Sequence, residues 1–276
     1  MSLIKIFMCC HKQYETLPPM CTPIQCGTAL NTPIVGITHD NDGDNISANN
    51  REYCELTAHY FAWKNIYAEY YGFCHYRRFF GTQSATKRPY IALNEISDDQ
   101  LLNKSELLSL TEKYSLIVPK AEDMGLPARE HYNSSEFHYS EDLSLFLTIL
   151  NEKAPQLNAA QEEYLQQNKQ YFCNMFIMKR DLFYEYCSIL FSVLKEFDKQ
   201  KKLHGDFQSD RTDGYLGEIF TGIYITYCYK NGILIKELPR LDVGCSPKKR
   251  LIYKLMPPES KRRFAAKKLV KAIRGK

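Results

Sequence analysis

The chain alternates short apolar runs with longer stretches in which apolar residues recur every three or four positions. Runs at 3–10, 34–38, 70–76, 114–118, 171–178 and 233–237 have strand length and strand composition. Periodic stretches at 49–67, 104–113, 140–152, 158–168, 180–200 and 213–229 predict helices. In 180–200, Leu182, Phe183, Tyr186, Leu190, Val193, Leu194 and Phe197 form one core-facing stripe. In 49–67, Asn49 followed by Glu52 has the form of a capping box. Tyr53, Leu56, Tyr60, Phe61 and Trp63 make that helix apolar on most sides, so it is expected to be buried. Strands alternating with helices predict an α/β domain on a parallel or mixed sheet. The polar, irregular segments 81–103 and 120–139 are expected as loops above it.

No internal repeat or low-complexity linker divides the chain. The 276 residues are enough for one large domain or two small ones, and 44% apolar and 25% charged residues suit a packed core. Tyrosine is abundant at 20, which fits sugar clefts and ordinary cores alike. Ten cysteines are scattered without a CxxC pair, which argues against a disulfide framework or a zinc ribbon. A reduced, cytoplasmic protein is expected. The N-terminus reads as a first strand, not a signal peptide, and no apolar run approaches 18 residues.

The formal charge of +4 hides an asymmetry. Residues 248–276 carry twelve Lys/Arg and one Glu, a net +11, which leaves −7 on residues 1–247. The boundary between domain and basic tail is therefore placed at 247/248. Within the tail, 261–274 would form a basic, weakly amphipathic helix after Pro257-Pro258. A solvated terminus is one reading. Docking at the inner membrane face, where each basic residue adds roughly 1 kcal/mol, is the other. Nucleic acid is not expected as a partner, since no recognition motif is present and the body is acidic.

Two polar clusters stand out. His39-Asp40-Asn41-Asp42-Gly43-Asp44-Asn45 follows a predicted strand and precedes the buried helix. An EF-hand starting at Asp40 would need Gly at 45 and Glu at 51, where the chain has Asn45 and Arg51. The loop would instead hold sugar hydroxyls or a metal–diphosphate through Asp40, Asp42, Asp44 and Asn45, or simply turn and cap the helix. His75-Tyr76-Arg77-Arg78 closes an apolar strand, the end of an α/β sheet where ligands bind. Its guanidiniums suit a diphosphate, with only one of the two expected to reach a shared ligand because successive strand residues face opposite ways. A pair of surface arginines in a salt-bridge network is the other reading. Neither GxxxxGK[ST] nor GxGxxG occurs. Late in the chain, Asp213 and Glu218 open a helix and are candidate general bases. Capping and dipole compensation also suit Asp213. His131 and His138 read as loop histidines.

These segments together resemble a bacterial glycosyltransferase family of capsule, exopolysaccharide and O-antigen clusters, long described only as a capsular-polysaccharide domain of unknown function. The resemblance runs through Ile4-Lys5-Ile6 with His11-Lys12, Pro23-Ile24-Gln25-Cys26-Gly27, Asp44-Asn45-Ile46-Ser47 with Asn50, and Tyr53-Cys54-Glu55-Leu56-Thr57. It continues through Trp63-Lys64-Asn65, Gly72-x-Cys74-His75-Tyr76-Arg77-Arg78, Asn174-Met175-Phe176-Ile177-Met178 and Arg211-x-x-Gly214-Tyr215-Leu216-x-Glu218. It implies a GT-A-like nucleotide-sugar sheet flanked by helices. The implied reaction moves a hexose, such as galactofuranose or galactose, from a UDP-sugar to a lipid-linked or growing surface polysaccharide. The implied catalytic residues are Glu218 and Asp213. Donor contacts would involve His11, Asp40, Asp42, Asp44, Asn45, His75, Tyr76, Arg77, Arg78, Asn174 and Arg211. His75-Tyr76-Arg77-Arg78 stands where such folds place an Asp-x-Asp metal motif, so no metal ligand is assigned and the need for Mn2+ or Mg2+ stays open. A non-catalytic nucleotide-sugar or glycan-binding protein on the same fold is the alternative.

Overall fold

A computed structural model describes residues 3–14, 18, 20–82, 84–85, 90–92, 95–202, 211–256, 260, 262–263 and 265–266. Strands β1 (Ile4–Cys10), β2 (Cys21–Gln25), β3 (Thr38–His39) and β4 (Tyr70–His75) run parallel, with β1 between β2 and β4. Further along are β5 (Arg78–Phe80), β6 (Tyr90–Ile91), β7 (Leu116–Pro119), β8 (Glu122–Asp123), β9 (Lys169–Gln170), β10 (Phe176–Lys179), β11 (Ile235–Leu238) and β12 (Arg240–Val243). The main path is β11-β7-β10-β4-β1-β2-β3, and only β10 on it runs against its neighbours. β12 pairs with β5 and β6 beside this path, and β8 pairs with β9. The expected mixed α/β sheet is what forms.

The helices are α1 (Asn50–Tyr53), α2 (Leu56–Asn65), α3 (Lys104–Thr111), α4 (Ala128–Asn133), α5 (Ser140–Lys153), α6 (Asn158–Gln166), α7 (Arg180–Gln200), α8 (Thr212–Lys230) and α9 (Pro247–Leu255). Two apolar cores sandwich the sheet. Alternation in β1 sends Phe7 and Cys9 to one and Ile6, Met8 and Cys10 to the other. The stripe of α7 is buried as predicted, from Phe183 to Phe197. Helix α8 is buried on nearly all sides. A Cβ at Gly222 would lie 1.9 Å from Cζ of the buried Tyr164, so only glycine lets α6 and α8 approach this closely.

Several predicted elements differ. The helix expected over 49–67 breaks at Cys54, whose φ of 52° no helix accepts. Asn49 makes no side-chain capping bond; the Asn50 amide instead donates to Cys54 O and Thr57 Oγ1. The strand expected at 34–38 shrinks to Thr38–His39, and the one expected at 171–178 begins at Phe176, because Cys173 and Asn174 turn the chain. β2, interrupted in sequence by Pro23, is absent from the predicted set. The segments 81–103 and 120–139 carry β6, β8 and α4 and are not plain loops. No helix among the described residues is long and apolar enough to cross a membrane.

Candidate active site

A cavity of about 340 Å3 opens where the parallel strands end. Cys9, Cys10 and His11 reach it from β1, Cys26 from β2, and His75 and Tyr76 from β4. Asn50, Arg51, Cys54 and Glu55 form another wall, and Arg211 comes from the entry to α8. Loops at the carboxyl ends of parallel strands can present polar groups without breaking sheet hydrogen bonds, so the cleft lies where such a sheet predicts it.

One side is aromatic and basic. The ring of Tyr76 packs against His11 (4.8 Å between centroids), Tyr14 (4.7 Å) and His75 (4.1 Å). The Arg77 guanidinium lies 4.8 Å over Tyr76. Burial, with the Arg78 and Arg77 charges, pushes the His75 pKa down to about 3, so its ring is neutral near pH 7. Burial and the charges of Lys12 and Arg77 also lower the pKa of His11.

The other side is acidic. Asn174 Nδ2 donates to Glu55 Oε1 at 3.0 Å and to Gly214 O at 3.2 Å, while its Oδ1 accepts from Thr221 Oγ1 at 3.1 Å. The preceding residue, Cys173, donates its backbone N–H to Glu218 Oε1 at 2.6 Å. Loss of water, then the nearby Glu55 charge, pushes the Glu218 pKa up to about 7, against the pull of Cys173, Arg78 and Arg240. Burial raises the Glu55 pKa as well, opposed by its hydrogen bonds and by Arg211 and Arg78. Among the described residues, the non-glycine positions with positive φ are Cys54, Cys173 and Asn174. All three adjoin or hold this carboxylate pair, and conformational strain concentrated this way is typical of functional sites.

The family model described as Domain of unknown function (DUF4422) matches residues 5–230. The chain belongs to this family. The solved apo structure of WbbM, a bifunctional glycosyltransferase, superposes on this DUF4422 chain with a TM-score of 0.81 at 28% identity. The match covers 88% of this chain and 46% of that one, so the chain spans about half the length of the solved WbbM chain. No curated protein matches. The resemblance to a polysaccharide glycosyltransferase family and the glycosyltransferase-like sheet expected from the sequence are borne out.

Of the residues singled out in sequence, His11, His75, Tyr76 and Arg211 line the DUF4422 cleft, and Arg77 borders it through Tyr76. Arg78 pairs with Asp242 at 3.3 Å and acts on Glu218 by its charge. Asn174 and Glu218 stand behind the wall that Glu55 presents. The Asp40 loop lies elsewhere. Asp40 is fully buried and accepts from the backbone of Gly27 and Thr28 and from the hydroxyls of Ser47 and Thr57. With four donors, it ties the turn after β2 to α2 and has no free face for a ligand. Asp42 and Asp44 are exposed, and Asn45 donates to Asn41 O and Gly43 O, closing its own loop. Asp213 turns the other way, into an ion cluster with Lys201 (2.8 Å), Glu52 and Asp198.

That cluster also decides where a divalent cation fits. Among the described residues, the group of three metal-capable side chains close enough to share an ion is Glu52, Asp198 and Asp213. The Lys201 ammonium already sits among them. At the cleft, burial pushes the thiols of Cys10 and Cys54 up to about 12, so they stay protonated and are poor ligands. The donor set there does not suit Mg2+ or Mn2+, which favour several oxygens. Glu55, read from sequence only as part of a matching segment, is the functional candidate the motif analysis missed. Its signal was an acid between Cys54 and Leu56 in a helix already expected to be buried.

Proposed function

We propose that the protein is a glycosyltransferase of polysaccharide synthesis that uses a UDP-hexose donor and a growing or lipid-linked glycan acceptor. The observation that carries this reading is the division of one cleft into a basic aromatic side and a carboxylate side, on a fold shared with a glycosyltransferase. Transfer needs charge stabilisation for the leaving diphosphate and a base for the acceptor hydroxyl.

Arg211 and Arg77 would meet the first need, supplying fixed positive charge where a metal would otherwise serve. Tyr76, with His11 and Tyr14 packed on it, would form the wall against which the donor lies. Glu55 would meet the second. It faces the cleft, and Asn174 fixes its orientation. Glu218 lies behind it with its pKa pushed up to about 7 by burial and the Glu55 charge. Near neutrality Glu218 therefore keeps part of a proton that an ordinary glutamate would have lost, and Glu55 would serve as the base. As the acceptor oxygen bonds to the anomeric carbon, its proton passes to Glu55. The bond from that carbon to the diphosphate oxygen breaks, and UDP departs with the electron pair.

The test is UDP release from a panel of UDP-hexoses, with glycan acceptors and in the presence of EDTA. Acceptor-dependent UDP release that is lost in Glu55→Gln supports the reading. Donor binding with no UDP release for any acceptor would make the chain a nucleotide-sugar-binding protein instead.

A further inference from the structure

Among the described residues, helix α9 meets the body through Tyr253 and Arg250. The Tyr253 ring stacks on Tyr90 with centroids 3.7 Å apart, and Arg250 Nη1 pairs with Glu95 at 2.8 Å. At 100° per residue, Leu251, Ile252 and Leu255 fall on the side opposite those two anchors. They are 56%, 40% and 57% exposed. The exposed Lys254 borders this ridge, and the exposed Lys248 continues the same face one turn earlier. Three neighbouring large apolar side chains left in water on one short helix are a cost that an interaction site explains.

We propose that α9 seats the protein on an anionic phospholipid bilayer, with the ridge of Leu251, Ile252 and Leu255 at the headgroup–acyl boundary. Charge selects this occupant. The helix opens a stretch of net +11, whereas residues 1–247 carry −7, so only this end of the molecule is drawn to an anionic leaflet. A second protein is a poorer fit, because a stable interface buries roughly 800 Å2 per partner and three side chains supply only a fraction of that. An interfacial helix needs only a narrow apolar face with a basic flank. The tail read from the sequence as a basic anchor thus gains an apolar wedge at its start. The parts of 261–274 expected to be helical lie mostly outside the described residues.

The experiment is co-sedimentation of the full chain with phosphatidylcholine vesicles, with and without phosphatidylglycerol, at low and high salt. The parent should bind only the anionic vesicles, and less so at high salt. Leu251→Ser/Ile252→Ser/Leu255→Ser, which keeps every charge, should lower the vesicle-bound fraction at least about ten-fold while leaving circular dichroism and melting unchanged. Lys248→Gln/Lys254→Gln should weaken binding and flatten its salt dependence. Parent-like binding by the triple serine variant, equal binding of the parent to neutral vesicles, or no binding at all overturns the proposal. So does a solution dimer that the serine substitutions dissociate without changing vesicle binding.

Discussion

The backbone N–H of Cys173 meets Oε1 of Glu218 at 2.6 Å, from a residue held at φ 73°. The next residue, Asn174 at φ 46°, donates to Glu55. Two consecutive residues in left-handed conformation therefore hold Glu55 at the cleft and Glu218 behind it, although Glu55 and Asn174 are 119 residues apart in sequence.

The carboxylate pair makes a pH prediction with a definite sign. Folding raises the Glu218 pKa from 4.5 to about 7. The native chain thus keeps a proton that the unfolded chain gives up. The contribution of this group to stability is fully present below pH 4.5 and is lost as pH rises through about 7. Urea denaturation across that range should show a decline that Glu218→Gln flattens. In turnover, ionisation of Glu218 strengthens Glu55 as a base, so the rate should rise through about pH 7, and Glu218→Gln should abolish that rise. Glu55→Gln should cut turnover by about 100-fold or more at every pH, with donor binding nearly unchanged. A parent-like rate in Glu55→Gln would falsify the base assignment.

Asn174→Ala removes three hydrogen bonds from a residue only 1% exposed. It leaves buried partners unsatisfied and places alanine at a positive φ. The expected loss of stability is about 2–3 kcal/mol by urea titration. Turnover should fall further than donor affinity, because Glu55 loses its orienting contact. An Asn174→Ala protein with unchanged kcat would show that Glu55 is positioned by something else.

Asp213 should behave as a structural acid. It is fully buried, and Lys201, the group that neutralises it, is only 6% exposed. Lys201→Met leaves Glu52, Asp198 and Asp213 without their cation and should cost about 3–5 kcal/mol. Asp213→Asn should lower the melting temperature while the folded fraction keeps its turnover. The opposite pattern, normal stability with lost turnover, would restore Asp213 as a candidate base.

Donor binding is expected to depend on arginine and not on a divalent ion. Calorimetric affinity for UDP should be the same in EDTA and in Mn2+. Arg211→Ala should weaken it by roughly 10- to 100-fold, as expected for loss of a charge-assisted contact worth about 1.5–3 kcal/mol. EDTA-sensitive binding would require oxygen ligands beyond those at the cleft among the described residues.

Local pattern determined much of this protein. The α7 stripe, the apolar strands β1 and β4 and the burial of α2 follow from local pattern, because a residue's direction within a helix or strand is set by its neighbours in sequence. The place of His75-Tyr76-Arg77 beside the cleft was legible too, since these residues close an apolar strand and so must fall at the edge of the sheet. Only the tertiary structure decided the fate of the acids. Asp40, Asp213 and Glu218 read alike as candidate carboxylates near helix starts, while Glu55 stood only inside a matching segment. Asp40 is consumed by donors from three segments and Asp213 by Lys201, while Asn174 and Cys173 bring Glu55 and Glu218 together. Whether a carboxylate is spent on structure or left to face a cleft depends on partners far away in sequence and on how much water they exclude, and neither leaves a trace in local spacing.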